Sequence, residues 1–163
     1  MNIISFEGSP EWVPELAVVC CAYQEYLRGK KVYSSSKLKF PNTYLDFTER
    51  FSEFPVIDDS SVVLLTNSQV VDARSCITRL NKNFYKLDNN LDIYISVSHL
   101  DNIDSRLRSL VNIRAECKYR DLTDVVDVRF KDRRLRKDYT IVNLLGKPLY
   151  VKEYSWMLEA NNG

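Results

Sequence analysis

The segment from Met1 to Ser36 has the spacing of a strand, a loop and a helix, and it constrains the fold more than any other. Residues 3–6 form a mostly apolar run that ends at Gly8. From Leu16 to Leu27 apolar residues recur with helical spacing, and Gly29 ends the pattern. The chain is therefore predicted to open with a strand that enters a helix through a short loop.

A loop between a strand and a helix binds phosphate when it has the pattern G-x-x-x-x-G-K-[ST]. The glycines let backbone N–H groups turn toward the phosphates, the lysine supplies a cation and the hydroxyl holds magnesium. Counted from Gly8, the last three positions of the pattern hold Val13, Pro14 and Glu15. Val13 restricts the backbone, Pro14 offers neither charge nor N–H, and Glu15 adds a negative charge that the helix dipole alone also explains. We therefore expect that this loop does not bind ATP.

The composition fits a single globular domain of 163 residues, of which 45% are hydrophobic and 28% are charged. The formal net charge of +1 gives no overall field that would favour nucleic acid or membrane, so any basic patch must be local. The sequence shows no signal segment at its start and no apolar run near the ~20 residues of a membrane span. We expect a soluble protein with no membrane partner.

Four cysteines, Cys20, Cys21, Cys76 and Cys117, show no C-x-x-C spacing and share the chain with one histidine. Such a set makes a poor metal site. We expect buried free thiols in a reducing, intracellular setting, with a disulfide or a metal site as the alternatives.

Strand-like and helix-like runs alternate as far as Arg120. The run SVVLLT at residues 61–66 is continuous and apolar, as a strand buried on both faces requires. A loop-rich crossing over residues 37–47 precedes it. This alternation predicts an α/β fold with a mostly parallel sheet that helices cover on both faces. The predicted strands are residues 31–33, 61–66, 91–97 and 115–119, and the predicted helices are residues 70–87 and 103–111.

Beyond Arg120 the sequence changes to adjacent strand-like runs, which predict β-hairpins at the edge of the parallel sheet. The turn from Lys131 to Asp138, KDRRLRKD, holds five basic residues in eight. It is either a contact for a phosphate backbone or a solvated turn that its own aspartates partly neutralise. The predicted strands here are residues 124–130, 139–144 and 148–154, and the basic residues of the turn include Arg133, Arg134, Arg136 and Lys137.

Three stretches carry a resemblance to a known family: the N-terminal segment, the strand SVVLLTN and LDIYISVSHLDNIDSRLRSLVNIRAECKYRD. In this order, and over nearly the whole chain, they resemble the P-loop ATPases of the Zot-like and FtsK/HerA-like group. That group includes DNA-packaging ATPases of archaeal and bacterial viruses. The resemblance implies one P-loop NTPase-like domain, with a core at residues 1–120 and a β-rich extension at residues 121–163. The final YVKEYSWMLEANNG resembles the family's closing strand, although Ser155 to Met157 departs from it.

In that family the strand after the phosphate loop ends in an acidic pair that holds magnesium and activates the attacking water. Here Thr66 and Asn67 stand in that place, and a hydroxyl and an amide cannot act as a general base near neutral pH. The family's sensor of the γ-phosphate corresponds to Ser98. The lone His99 beside it is either a hydrogen-bonded surface residue or a catalyst.

The family also places arginines at the boundary between subunits, at the start of a helix. Arg106 and Arg108 correspond to them. The resemblance implies that these two side chains would face a neighbouring subunit's nucleotide, or DNA.

The lysine, the hydroxyl, the acidic pair and the sensor are lost together, which leaves neither a metal site nor a general base. The sequence therefore predicts a catalytically inactive P-loop ATPase homologue, a pseudo-ATPase without a cofactor. Two other classes stay open: a structural virion protein that reuses the fold, and an ATPase or DNA-translocation subunit with a displaced nucleotide site. For the displaced site, Glu7, Asp58 and Asp59 are the nearby acids.

The expected partners are further copies of the chain or an active ATPase homologue, with DNA as a further candidate. Arg106, Arg108 and residues 133–137 would make these contacts. The resemblance implies a virus or mobile element, and hence a location in the cytoplasm of a host cell or in a virion. Because a fold does not fix a function, the partner must be argued from surfaces.

Overall fold

The computed structural model describes residues 2–45, 60–66, 91–99, 101, 105–132, 137–141 and 149–157. The strands are β1 (Asn2–Glu7), β2 (Lys31–Ser34), β3 (Thr43–Tyr44), β4 (Ser61–Leu65), β5 (Asp92–Val97), β6 (Ile113–Arg120), β7 (Val125–Asp132) and β8 (Lys137–Ile141). The described helices are α1 (Trp12–Leu27), α2 (Ser105–Leu110) and α3 (Val151–Tyr154), which a 3-10 turn at Ser155–Met157 follows. The eight strands form one mixed sheet in the order β3-β2-β4-β5-β1-β6-β7-β8.

The six strands from β3 to β6 in sheet order are parallel. β1 lies between β5 and β6, which both come later in the chain, so the order of the strands reverses at β1. In open α/β sheets, ligands bind beyond the carboxyl ends of the strands at such a reversal. The predicted α/β class and the mostly parallel sheet are confirmed, and the carboxyl ends of β4, β5 and β1 define the edge of interest.

The central strands are buried as their sequences require. Every residue of β4 is buried, and so is every residue of β5 after Asp92. β4 is the continuous apolar run that predicted a strand buried on both faces, and β5 is the strand predicted at residues 91–97.

Helix α1 begins at Trp12, four residues before the predicted start at Leu16. Every residue from Leu16 to Ala22 is buried, because the helix is apolar on all sides. One side packs on the sheet, and the opposite side is covered by the C-terminal segment, where Met157 is fully buried. The rings of Tyr23 and Trp156 meet edge to face at 5.8 Å. The helix is therefore enclosed between the sheet and the end of the chain.

Strands β6, β7 and β8 form an antiparallel ribbon at one edge of the sheet. Asp132 at the end of β7 pairs with Lys137 at the start of β8, so the predicted basic turn joins them. The predicted β-hairpin extension is confirmed in these strands. Residues 133–136 and 142–148 lie outside the described part of the chain.

The predicted strand at residues 148–154 is wrong, because residues 151–154 form the short helix α3. Tyr150 makes a single bridge to Val125, and the chain then turns. The backbone carbonyl and the carboxylate of Asp124 accept the N–H groups of Val151 and Lys152 at 2.9 and 3.2 Å. These contacts favour a helix start, and Val151 and Tyr154, three residues apart, then pack on the core.

Several predictions fall outside the described residues, among them the helix at residues 70–87 and the acids Asp58 and Asp59. The predicted helix at residues 103–111 is present as the shorter α2. Among the described residues, no helix is long and apolar enough to cross a membrane.

Candidate functional site

The loop that follows β1 is short, and helix α1 begins directly after Glu11. Val13, Pro14 and Glu15, which occupy the positions of the second glycine, the lysine and the hydroxyl, all lie in the first turn of α1. Val13 and Pro14 are buried in that turn. Proline is compatible with a first turn because the N–H that it lacks would have no partner inside the helix. These residues therefore fit the start of a helix.

Two backbone N–H groups of this turn are bonded within the chain. The Val13 N–H donates to the carbonyl of Pro10 at 3.0 Å, and the Glu15 N–H donates to the carbonyl of Glu11 at 3.4 Å. Pro14, between them, has no N–H. A helix N-terminus binds phosphate through N–H groups that point at the ligand, and these three positions offer none.

Gly8 lies against the backbone of the neighbouring strand β6. A Cβ at this position would be 2.6 Å from the carbonyl oxygen of Cys117 and 3.4 Å from the Cys117 Cβ. β1 and β6 are paired up to Glu7 and Glu116, so the two backbones are held in place. Close packing is sufficient to explain a glycine here.

Glu7, the last residue of β1, places a carboxylate beside this loop. Its side chain is 7% exposed, and Arg114 of β6 binds it through Nε at 2.9 Å and Nη2 at 3.1 Å. The hydrogen bond to Glu7 is the main cause that raises the pKa of Arg114. Such a bidentate pair is among the stronger hydrogen-bonded contacts in proteins. The carboxyl end of β1 thus holds an anion that belongs to the chain itself.

Thr66, the first residue after β4, takes the position of the family's acidic pair. Its hydroxyl lies 2.9 Å from the hydroxyl of Ser36 and 3.3 Å from that of Ser35. Its N–H also donates to the Ser35 Oγ at 3.0 Å. This hydroxyl cluster, in which Ser35 and Thr66 are buried, ties the carboxyl end of β4 to that of β2, and it satisfies polar groups that burial would otherwise penalise.

The segment after β5 brings Ser98, His99 and Asp101 to the same edge of the sheet. The Nδ1 of His99 accepts a hydrogen bond from the Asp101 N–H at 3.1 Å, as expected of a hydrogen-bonded surface histidine. The Nη1 of Arg108 in α2 lies 3.3 Å from the Asp101 carboxylate. Arg108 therefore has an exposed partner within its own chain.

The structure brings some of the predicted positions together. Gly8, Ser98 and Thr66 follow β1, β5 and β4, which are adjacent parallel strands, so the three residues lie along one edge. Arg106 and Lys137 lie in α2 and at the start of β8, and only their backbones are described. The predicted residues outside the described part of the chain are Asn67, Arg133, Arg134 and Arg136.

Sequence patterns did not predict two contacts at this edge, the pair of Glu7 with Arg114 and the hydroxyl cluster around Thr66. Arg114 lies in a strand where Ile113 and Ala115 are buried, so alternation places its side chain on the other face. Only the register with β1 shows that this face carries Glu7. The run of serines after β2 was the available signal for the hydroxyl cluster, but its pairing with Thr66 depends on the order of the strands.

Cys20, Cys21 and Cys117 are buried and free, as predicted, and Cys76 lies outside the described residues. Burial raises the pKa of the Cys21 thiol to about 12, and it also raises the pKa of Cys20 and Cys117. Thiols kept protonated in this way are poor nucleophiles and poor metal ligands. Within the described ranges, no group of three or more His, Cys, Asp and Glu side chains could hold a metal ion.

No protein-family model matches the sequence, and no curated protein matches it. Among solved structures, the chain is similar to the crystal structure of the N-terminal domain of zonular occludens toxin from Neisseria meningitidis. The TM-score is 0.56 at 14% sequence identity, over 86% of this chain and 93% of that one. Similarity at this identity shows the fold alone, and it supports the Zot-like part of the predicted resemblance.

Proposed function

We propose that this chain is a catalytically inactive P-loop ATPase homologue, a pseudo-ATPase of a virus or mobile element, which acts through contacts with other proteins. One observation carries the proposal. In the first turn of α1, the N–H groups of Val13 and Glu15 are bonded within the chain, and Pro14 between them has none. At these three positions phosphates would meet neither an unbonded N–H nor a lysine, and Glu15 carries a negative charge.

Two further features of the same edge support the proposal. Glu7 adds a second carboxylate beside the loop. Arg114 already neutralises this carboxylate. Thr66, in the place of the acidic pair, is part of a hydroxyl cluster with Ser35 and Ser36 and has no carboxylate for magnesium or for a base. The features that would bind the phosphates, the metal and the attacking water are thus all replaced.

Titration of a fluorescent ATP analogue, with and without magnesium, tests this proposal. We expect no saturable signal that unlabelled ATP displaces. The matched comparison is a variant in which Val13→Gly, Pro14→Lys and Glu15→Thr restore the motif. Saturable binding to the wild-type chain, with magnesium-dependent turnover, would contradict the proposal and would favour a displaced nucleotide site.

DNA is a second candidate partner, and one observation favours it. Five of the eight residues in the segment from Lys131 to Asp138 are basic, at the end of the β7–β8 ribbon. Binding of duplex DNA should weaken steeply with salt, because each phosphate contact releases counterions. Replacement of Arg133, Arg134 and Arg136 with alanine should reduce that salt slope. The absence of binding at low salt would remove DNA as a partner.

A further inference from the structure

A cleft of about 460 Å³ opens at the edge of the sheet, between the end of α1 and the residues that lead into β3. Its described walls are Tyr26 of α1, residues 29–33 of the following turn and β2, and residues 41–43. It lies at the amino ends of β2 and β3, whereas the candidate site lies at the carboxyl ends of the strands. Small-molecule sites typically have volumes of about 300–1,000 Å³, so this cleft is large enough for a ligand of one or two rings.

The cleft exists because β3 is shorter than β2. β3 pairs only with the second half of β2, so residues 31–32 have no partner in β3. The backbone groups of a strand alternate between its two neighbours, and the Ser34 carbonyl accepts the Leu45 N–H at 2.7 Å on the β3 side. The Val32 N–H, two residues earlier, therefore points to the same side, where β3 offers it no acceptor. Val32 lines the cleft, which thus has a backbone donor in its wall.

An aromatic ring and a proline supply apolar surface to the cleft. The Tyr26 ring contacts that of Phe40 with centroids 5.6 Å apart, and it stacks with Tyr23 at 6.2 Å. The side-chain amide of Asn42 donates to the Phe40 carbonyl at 2.7 Å, which fixes the turn that carries Pro41. Both walls are therefore ordered before a ligand binds, and an ordered site loses less conformational entropy on association.

The charges at the cleft favour an anion. Lys30 and Lys31 line it, and none of the lining residues that the structure describes is acidic. The Lys30 ammonium binds Glu25 at 2.6 Å and lies 3.6 Å from Asp92, whereas Lys31 is exposed. Together with Arg28, which also binds Glu25, these side chains carry three positive and two negative charges. A ligand with a negative group would therefore meet a net positive charge here.

We propose that this cleft binds a small aromatic carboxylate, with its ring against Tyr26 and Pro41 and its carboxylate beside Lys31 and the Val32 N–H. A carboxylate that accepts from an ammonium group and from a backbone N–H makes charge-assisted hydrogen bonds. The ring of the ligand adds aromatic contact with Tyr26. The inference goes beyond the proposed function and does not depend on it, because the ligand carries no phosphate and the cleft lies at the other end of the strands.

Titration with naphthoate, a two-ring aromatic carboxylate, tests the site through the backbone amide signals of the full chain. We expect saturable shifts confined to residues 29–33 and 42–44, with a Kd below about 1 mM for a ligand of this size. Two related probes separate the contributions of charge and ring. Naphthamide lacks the negative charge and acetate lacks the ring, so each should bind at least about fivefold more weakly than naphthoate.

Three variants locate the bound ligand. Thr43→Trp fills the cleft from an exposed position of β3 without a change of charge, and it should abolish binding. Lys31→Gln should weaken naphthoate binding about threefold to tenfold and leave naphthamide binding unchanged, because only naphthoate carries a charge. Lys37→Gln is the matched control, since this exposed lysine follows β2 and does not line the cleft, and it should leave both affinities unchanged. Circular dichroism and the melting temperature check that each variant is folded.

The site is overturned if the naphthoate shifts do not saturate, or if they are scattered over the surface. It is also overturned if naphthamide binds as tightly as naphthoate, or if Lys31→Gln and Lys37→Gln have equal effects. A folded Thr43→Trp variant that binds as well as the wild type would place the ligand elsewhere. Failure of this site leaves the pseudo-ATPase proposal intact, since nucleotide binding tests that proposal separately.

Discussion

Replacement of Gly8 by alanine should destabilise the fold, because the added Cβ would be 2.6 Å from the backbone carbonyl oxygen of Cys117. Overpacking of this kind costs about 1–3 kcal/mol, and the upper part applies because a paired backbone cannot give way as a side chain can. Gly8 does not have a positive φ, so alanine also restricts the unfolded chain, which offsets about 0.5 kcal/mol. We expect a net loss of about 2 kcal/mol in the free energy of unfolding, measured by urea denaturation followed through tryptophan fluorescence.

Gly29 provides the matched control. A Cβ there would meet nothing within 4 Å, but its φ is +93°, so alanine is strained by the backbone alone. Asparagine tolerates that conformation better than alanine, so Gly29→Asn should be milder than Gly29→Ala. At Gly8 we expect the opposite order, with Gly8→Asn more destabilising than Gly8→Ala, because a larger side chain adds to the contact with Cys117. A Gly8→Ala variant as stable as the wild type would refute the close approach of β1 to β6, and the glycine would then need another explanation, such as a ligand.

Four other substitutions or treatments test separate parts of the account. Thr66→Val should cost about 1 kcal/mol in unfolding free energy, because it removes the hydroxyl that Ser35 and Ser36 contact while the residue 66 N–H still donates to Ser35 Oγ, and Thr66→Ser should cost less; equal costs would argue against the hydroxyl cluster. Arg114→Leu should lower the unfolding free energy by about 2 kcal/mol, because Glu7 stays buried without its cation. The exposure of Arg114 itself keeps the loss from being larger. An unchanged urea midpoint would count against the ion pair. Met157→Ala should lower the unfolding free energy by about 3 kcal/mol, because the C-terminal segment covers α1. A negligible loss would show that this segment does not pack on the helix. Cys21, whose pKa burial raises to about 12, should not react with iodoacetamide near pH 8 until urea unfolds the chain. Mass spectrometry of the peptides measures this labelling. Rapid labelling of the native protein would contradict the burial of Cys21.

The sheet could be predicted from the sequence wherever a strand is buried on both faces. Residues 61–65 are a short run of β-branched residues and leucines, and residues 92–97 are mostly apolar; short length and β-branched content favour a strand over a helix for both. The predicted start of α1 at Leu16 is four residues too late, because Trp12 to Glu15 occupy positions of the phosphate-loop pattern and yet form a helix turn. The first turn of a helix tolerates proline, so Pro14 does not mark the start of α1 in the sequence.

The C-terminal segment shows what local patterns cannot provide. Residues 148–154 have the apolar and aromatic content of a strand. Asp124, however, accepts hydrogen bonds from the N–H groups of Val151 and Lys152, and a helix begins there. That contact joins residues far apart in sequence. Local propensity is a weak prior against tertiary contacts of this kind.

The candidate site was predicted in part. The positions of Gly8, Thr66 and Ser98 beyond the carboxyl ends of strands, at one edge of the sheet, follow from a parallel sheet, which the alternation of elements predicts. The contacts between Glu7 and Arg114, and between Thr66 and the serines after β2, depend on which strands are neighbours. Strand order is a property of the whole fold, so these contacts needed the structure.

The central claim is that the turn after β1 does not receive phosphates, and the backbone amide signals of residues 8–15 test it most directly. The amides of Val13 and Glu15 should keep their chemical shifts when ATP and magnesium are added to millimolar concentration, because their N–H groups are bonded to Pro10 and Glu11. Any small shifts should be scattered over exposed basic residues and should disappear with added salt. Saturable shifts confined to residues 8–15 would show that phosphates bind this turn, and the pseudo-ATPase account would then fail.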